Sequence, residues 1–162
     1  MQDGALIVQL DSPYTWGYVI IGNETYEDVR IDASTQSRGS TPEAIGLMCR
    51  YGEQSGWYEF NVSGDGTYSV LYGQWLATDV ARYTPIAIDT TVYLNPSGAD
   101  NAIGLTCEAT NLWLYINGKL FRKLNETRFG LTEGKVGLSV SSFENTGVIG
   151  SFDSVRVSEP VE

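Results

Sequence analysis

The chain has no histidine. Ser-His-Asp and Cys-His nucleophilic catalysis are therefore excluded, and so is any His-ligated zinc site. The chemistry left is that of carboxylates, aromatic rings and amides. Hydrolysis of a glycoside needs two carboxyl groups at a separation set by mechanism. Glu24, Glu27 and Asp28 lie near one another, but Glu24 reads as turn. The other acid worth placing is Glu59, in WYEFNV (57–62). Counting across the turn GEQSG puts Arg50 roughly opposite Glu59 and Cys49 near Phe60. An Arg–Glu pair beside Trp57 has the groups that hold a sugar, two polar heads for its hydroxyls and a ring face for stacking. Trp75 and Trp113 are further stacking candidates, and Trp16 between Tyr14 and Tyr18 is another. The plainer reading packs these rings against neighbouring strands and makes Arg50–Glu59 a surface ion pair worth at most about 1 kcal/mol.

These residues sit in a chain dominated by alternation, the pattern of half-buried strands. Strands are expected at 5–10, 17–21, 26–33, 45–51, 57–62, 67–72, 101–108, 111–116, 119–124, 135–142 and 150–158. In NLWLYI (111–116), Leu112, Leu114 and Ile116 share one face, Trp113 and Tyr115 the other. Asp65-Gly66 and Asn117-Gly118 are hairpin signals, because such residues tolerate positive φ. The least regular stretch, 74–90, is expected to be mostly loop with at most one helical turn, and it carries Trp75. About a dozen short strands with turns every 8–12 residues describe a sandwich or barrel.

Composition narrows the partners. A length of 162 residues suits one domain, and 18 glycines with 12% aromatics suit strands and tight turns. The expected domain is 1–158, with 159–162 as the start of a linker to neighbouring domains of a longer chain. A net charge of −10 repels phosphate backbones and anionic membranes but is compatible with neutral sugars and with calcium. No apolar run approaches the roughly 20 residues of a membrane span. The two cysteines, Cys49 and Cys107, fall in strand-like segments. Composition leaves two readings open: a disulfide in an exported protein, or two buried thiols in a cytosolic one.

The segments GLMCRYGEQSGWYEFNVSGDGTYSVLYGQW (46–75), NAIGLTCEATNLWLYINGKLF (101–121), EGKVGLSVSSFE (133–144) and GSFDSVRV (150–157) carry a family pattern. It runs from an Arg-Tyr strand through a Tyr/Phe-rich strand, an Asp-Gly turn, a Trp and an Asn-Gly hairpin. A Gly-x-Val-Gly-Leu strand and a Phe-Asp strand close it. In this it resembles bacterial extracellular modules of the concanavalin A-like lectin/glucanase superfamily, on the laminin-G-like and keto-disaccharide-hydrolase-like branches. The chain departs from the pattern at its start, where an aspartate-rich, Trp-containing segment is absent or truncated.

The resemblance implies an all-β, two-sheet antiparallel jelly-roll sandwich, extracellular or at the cell surface. It also implies a disulfide between Cys49 and Cys107. Asp153 corresponds to a final-strand aspartate that ligates structural calcium in glucanase-like relatives; no other cofactor is implied. The Glu-x-Asp-x-x-Glu run of glucanases of this fold is absent. The function expected first is a non-catalytic carbohydrate-binding module of a larger protein, using Arg50, Trp57, Glu59, Trp75 and Trp113. A structural, adhesion or sensor domain contacting protein comes second, and a glycoside hydrolase third. The Asn-x-Ser/Thr sites at Asn23, Asn61 and Asn125 carry no glycan information in a bacterial setting.

Overall fold

The computed structural model describes residues 4–37, 43–96, 98–144 and 147–161. Twelve strands follow in order: β1 (Leu6–Leu10), β2 (Trp16–Tyr26), β3 (Val29–Ser37), β4 (Glu43–Gly52), β5 (Gly56–Ser63), β6 (Thr67–Ala77), β7 (Val80–Thr90), β8 (Asp100–Glu108), β9 (Asn111–Ile116), β10 (Lys119–Asn125), β11 (Gly134–Ser142) and β12 (Val148–Ser158). They form two six-stranded antiparallel sheets, β1-β12-β3-β8-β9-β10 and β2-β11-β4-β5-β6-β7. This is a two-sheet antiparallel jelly-roll sandwich. No helix among the described residues is long and apolar enough to cross a membrane.

Alternation assigns the two faces of each sheet. Ile45, Leu47 and Cys49 on β4, Tyr58, Phe60 and Val62 on β5, and Val136, Leu138 and Val140 on β11 all point into the shared core. The first sheet answers with Val29, Ile31, Ile103, Leu105, Leu112, Leu114 and Ile116. Cys49 and Cys107 are disulfide-bonded with Cα atoms 6.6 Å apart, tying β4 to β8 across the sandwich. The Asn117-Gly118 hairpin has φ values of 49° and 78°, the positive pair that such a two-residue turn requires.

Two expectations are corrected. The stretch 74–90 is strand: β6 runs on through Trp75 and pairs with β7. Register shifts at Val70/Leu71 and Trp75/Ala77 break the two-residue period that alternation relies on. Pro85 is tolerated because β7 is an edge strand. The second correction is the register of β4 on β5. Met48, not Arg50, faces Glu59; Cys49 faces Tyr58, and Leu47 faces Phe60. The register shifts between Cys49 and Gly52, where β4 carries one residue more than β5. Arg50 takes a φ of 53° there. A bulge on a non-glycine residue leaves no mark in the hydrophobic pattern.

Candidate functional site

The outer face of the second sheet, away from the core, gathers most of the reactive and recognition chemistry. Residues that alternate with the core rows meet there: Trp16 and Tyr18 from β2, Ser139 and Ser141 from β11, Trp57, Glu59 and Asn61 from β5, Trp75 from β6 and Tyr83 from β7. Trp57 is the hub. Its ring lies 5.7 Å from Tyr18, 5.5 Å from Tyr51, 5.2 Å from Trp75 and 6.0 Å from Tyr83, centroid to centroid. Such tilted and edge-on ring pairs stabilise by roughly 0.5–1.5 kcal/mol beyond the area they bury. Trp57 seats because its cross-strand partner is Gly73: a Cβ on Gly73 would stand 2.4 Å from the indole. Gly46 does the same for the polar pair beside it, since a Cβ there would lie 2.0 Å from the Asn61 amide oxygen and 2.6 Å from Ser139 Oγ.

Glu59 is fully covered by this cluster. Trp57 Nε1 donates to its Oε2 at 2.9 Å and the Tyr83 hydroxyl to the same oxygen at 3.1 Å. Ser139 Oγ donates to Oε1 at 2.9 Å. Burial pushes the Glu59 carboxyl up, and the hydrogen bonds from Trp57, Asn61 and Ser139 offset part of that. Both oxygens are engaged, so Glu59 ties the floor together and presents nothing outward. Trp57, 0% exposed, has no free ring face. These two expected ligand contacts thus form the foundation of the face.

What reaches solvent is the layer above. Trp16 is 40% exposed and leans on Tyr83 at 5.9 Å. It lines two depressions. One, of ≈ 280 Å³, is bounded by Trp16, Tyr83, Leu71 and Ile88, with partly exposed Ser63 and Ser69 on it and buried Asn61 and Ser141 in its floor. The other, of ≈ 510 Å³, is bounded by Tyr14, Trp16, Tyr18 and Trp75, with Asp79 on it. Trp75 is held by a hydrogen bond from its Nε1 to the Tyr51 hydroxyl at 3.0 Å. The face is thus an aromatic ridge at Trp16 between two shallow basins.

The other expected site residues lie elsewhere. Arg50 is 2% exposed and turns away from Glu59. Its Nη1 donates to the Leu131 carbonyl at 2.7 Å, its Nη2 and Nε to the Glu27 carbonyl at 3.0 and 3.3 Å. It anchors two loops, and the expected pair with Glu59 does not form. Trp113 is on the first sheet, where Lys123 Nζ sits 4.3 Å above its ring. Asp153 lies at the β12 register shift and accepts from Ser151 Oγ at 3.2 Å. Among the described residues, no three of His, Cys, Asp and Glu gather as a metal-holding group. The residues that sequence reasoning left out are Asn61, Ser139, Ser141 and Tyr83. Tyr83 sat in the stretch read as loop. The serines and Asn61 gave a signal only in their alternation with core residues.

No family model matches the chain, and no curated protein sequence matches it. Solved structures do. The carbohydrate binding module CBM66 from Bacillus subtilis superposes with a TM-score of 0.70 at 13% identity, over 96% of each chain. The carbohydrate recognition domain of Emp46p, in its metal-free form, gives 0.69 at 12% identity, over 99% of this chain and 85% of that one. The exoplasmic/lumenal domain of VIP36, in a Ca2+/Man3GlcNAc-bound form, gives 0.69 at 11% identity, over 100% and 81%. At these identities the likeness is one of fold.

Proposed function

We propose that this domain is a non-catalytic carbohydrate-binding module of a larger secreted or cell-surface protein. A neutral oligosaccharide lies across the outer face of the second sheet, straddling Trp16. The observation that carries the reading is the half-exposed Trp16 between two basins, one of them edged by the partly exposed Ser63 and Ser69 above buried Asn61 and Ser141. Sugar rings offer an apolar face to an indole and hydroxyls to amides and serines. A site built this way needs no net charge, which suits an acidic chain facing a neutral ligand.

Three further observations support it. The fold is shared with proteins whose names denote carbohydrate binding. A disulfide fits an oxidising, extracellular setting. Glu59 lies beneath the rings with both oxygens engaged, whereas a glycosidase needs two carboxyls flanking the scissile bond. The structural calcium expected at Asp153 stays part of this proposal, with Ser151 as the partner at hand.

The test is a glycan array followed by calorimetry on the oligosaccharides it identifies. Binding to a neutral glycan that Trp16→Ala weakens by at least about 30-fold is expected, the size of a central aromatic contact. Silence across neutral and acidic glycans would contradict the proposal.

A further inference from the structure

At one end of the sandwich the inward rows of both sheets turn from apolar to oxygen-bearing. On β4 the row Cys49, Leu47, Ile45 ends in Glu43. On β3 the row Val29, Ile31, Ala33 ends in Thr35 and Ser37. Glu43 is 1% exposed, and neither of its carboxylate oxygens has a hydrogen-bond partner. The Ser37 hydroxyl is likewise buried and unpartnered. Both line one cavity of ≈ 20 Å³, closed by Leu94, Asn95, Gly98 and Asn101. That is room for a single water or a single ion.

Other donors described around the cavity, apart from the Ser37 hydroxyl, are directed elsewhere. Thr35 Oγ1 donates to the Asn101 carbonyl at 3.1 Å and Ser63 Oγ to the Glu43 carbonyl at 2.7 Å. Asn95 gives its backbone N–H to Asn101 Oδ1 at 2.8 Å and its amide N–H to the Asp100 carbonyl at 2.9 Å. None of the described lining residues carries a positive charge. A buried carboxylate left without partners costs several kcal/mol. Burial, with Asp65 nearby, pushes the Glu43 carboxyl up to about 7. Among the described residues the surroundings offer oxygens and no counter-charge, which is the donor set of a hard cation.

We propose that this rim cavity is a calcium site, with the Glu43 carboxylate and the Ser37 hydroxyl as ligands and oxygens of Asn95, Gly98 and Asn101 completing the shell. Carbonyl oxygens already holding one hydrogen bond keep a second lone pair for a metal. The site joins β3 of one sheet to β4 of the other, so an ion there clamps the sandwich at its rim. It is separate from Asp153 and does not depend on sugar binding.

Calcium titration of chelator-treated protein at about pH 8, followed by calorimetry and thermal unfolding, tests it. The wild type gains roughly 5–10 °C in Tm at calcium about a hundredfold over Kd. Glu43→Gln loses the calcium shift and folds at least as stably without calcium, because an unpaired charge is gone. Ser37→Ala binds calcium at least about tenfold more weakly, and decides the matter if Glu43→Gln does not fold. Because Asp153 is the other proposed calcium ligand, all forms are compared in an Asp153→Asn background, which keeps the shift due to the rim cavity. The proposal is overturned by a background protein that does not respond, by a shift that survives Glu43→Gln in that background, or by unchanged affinity in Ser37→Ala.

Discussion

At the scale of single residues, the outer face rests on Glu59 and on the glycines that make room around it. Glu59→Ala leaves Trp57 Nε1, the Tyr83 hydroxyl and Ser139 Oγ without their shared acceptor. Unpairing buried donors in this way costs about 3 kcal/mol, measurable as a lower urea midpoint. Gly73→Ala puts a methyl 2.4 Å from the Trp57 ring and costs about 1–3 kcal/mol by overpacking. An unchanged midpoint in either variant would contradict the seating of Trp57. Glu43 supplies a pH signature. Its carboxyl sits at about 7 in the folded chain against an ordinary 4.5, so the folded state keeps a proton that the unfolded chain releases between those values. The stability this contributes is full below about pH 4.5 and is lost as pH rises through about 7. With chelator present, Tm falls between about pH 5 and 8. Burial also raises the Glu59 carboxyl, which adds to the trend, so the informative quantity is the flatter slope of Glu43→Gln. Equal slopes would contradict the burial of an unpaired Glu43 carboxylate. Sequence alone pairs Trp57 with Glu59 on one face, because strict alternation around Tyr58 and Phe60 requires it. It misplaces Arg50, because a bulge with positive φ on arginine has no signature in residue type.

At the scale of elements, the link between the sheets is the disulfide from β4 to β8, whose cysteines are 58 residues apart in sequence. Closing a loop of that length restricts the unfolded chain by about 4 kcal/mol in the entropic model. Replacing both cysteines by alanine lowers unfolding free energy by roughly that amount, read from urea unfolding with and without reductant. A double variant as stable as the wild type would show that the core alone holds β4 against β8. Most strands are legible from alternation, as with the buried Leu112, Leu114 and Ile116 against half-buried Trp113 and Tyr115. β7 and the end of β6 are not, because two register shifts and an edge-strand proline disguise the period. That one gap hid Tyr83 and made Trp75 look like a loop residue.

At the scale of the whole molecule, turn spacing and strand count narrow the architecture to a sandwich or barrel, the resemblance implies the two-sheet sandwich, and the structure has two six-stranded sheets. The site is only half legible. Composition and alternation name the aromatic residues, but which ring is buried and which is exposed is a property of stacked layers. Trp57 is the most central ring and has no free face; Trp16, at the start of β2, is the tryptophan left open. The proposed site occupies one face of the second sheet, whereas the expected binding residues were spread over both sheets, with Trp113 on the first.

The most direct measurement is calorimetric titration of a neutral oligosaccharide, chosen from a glycan array, into the wild type, Trp16→Ala and Trp113→Ala. The account predicts binding by the wild type, a loss of at least about 30-fold in Trp16→Ala, and unchanged affinity in Trp113→Ala. Full affinity in Trp16→Ala, or a loss confined to Trp113→Ala, would contradict it.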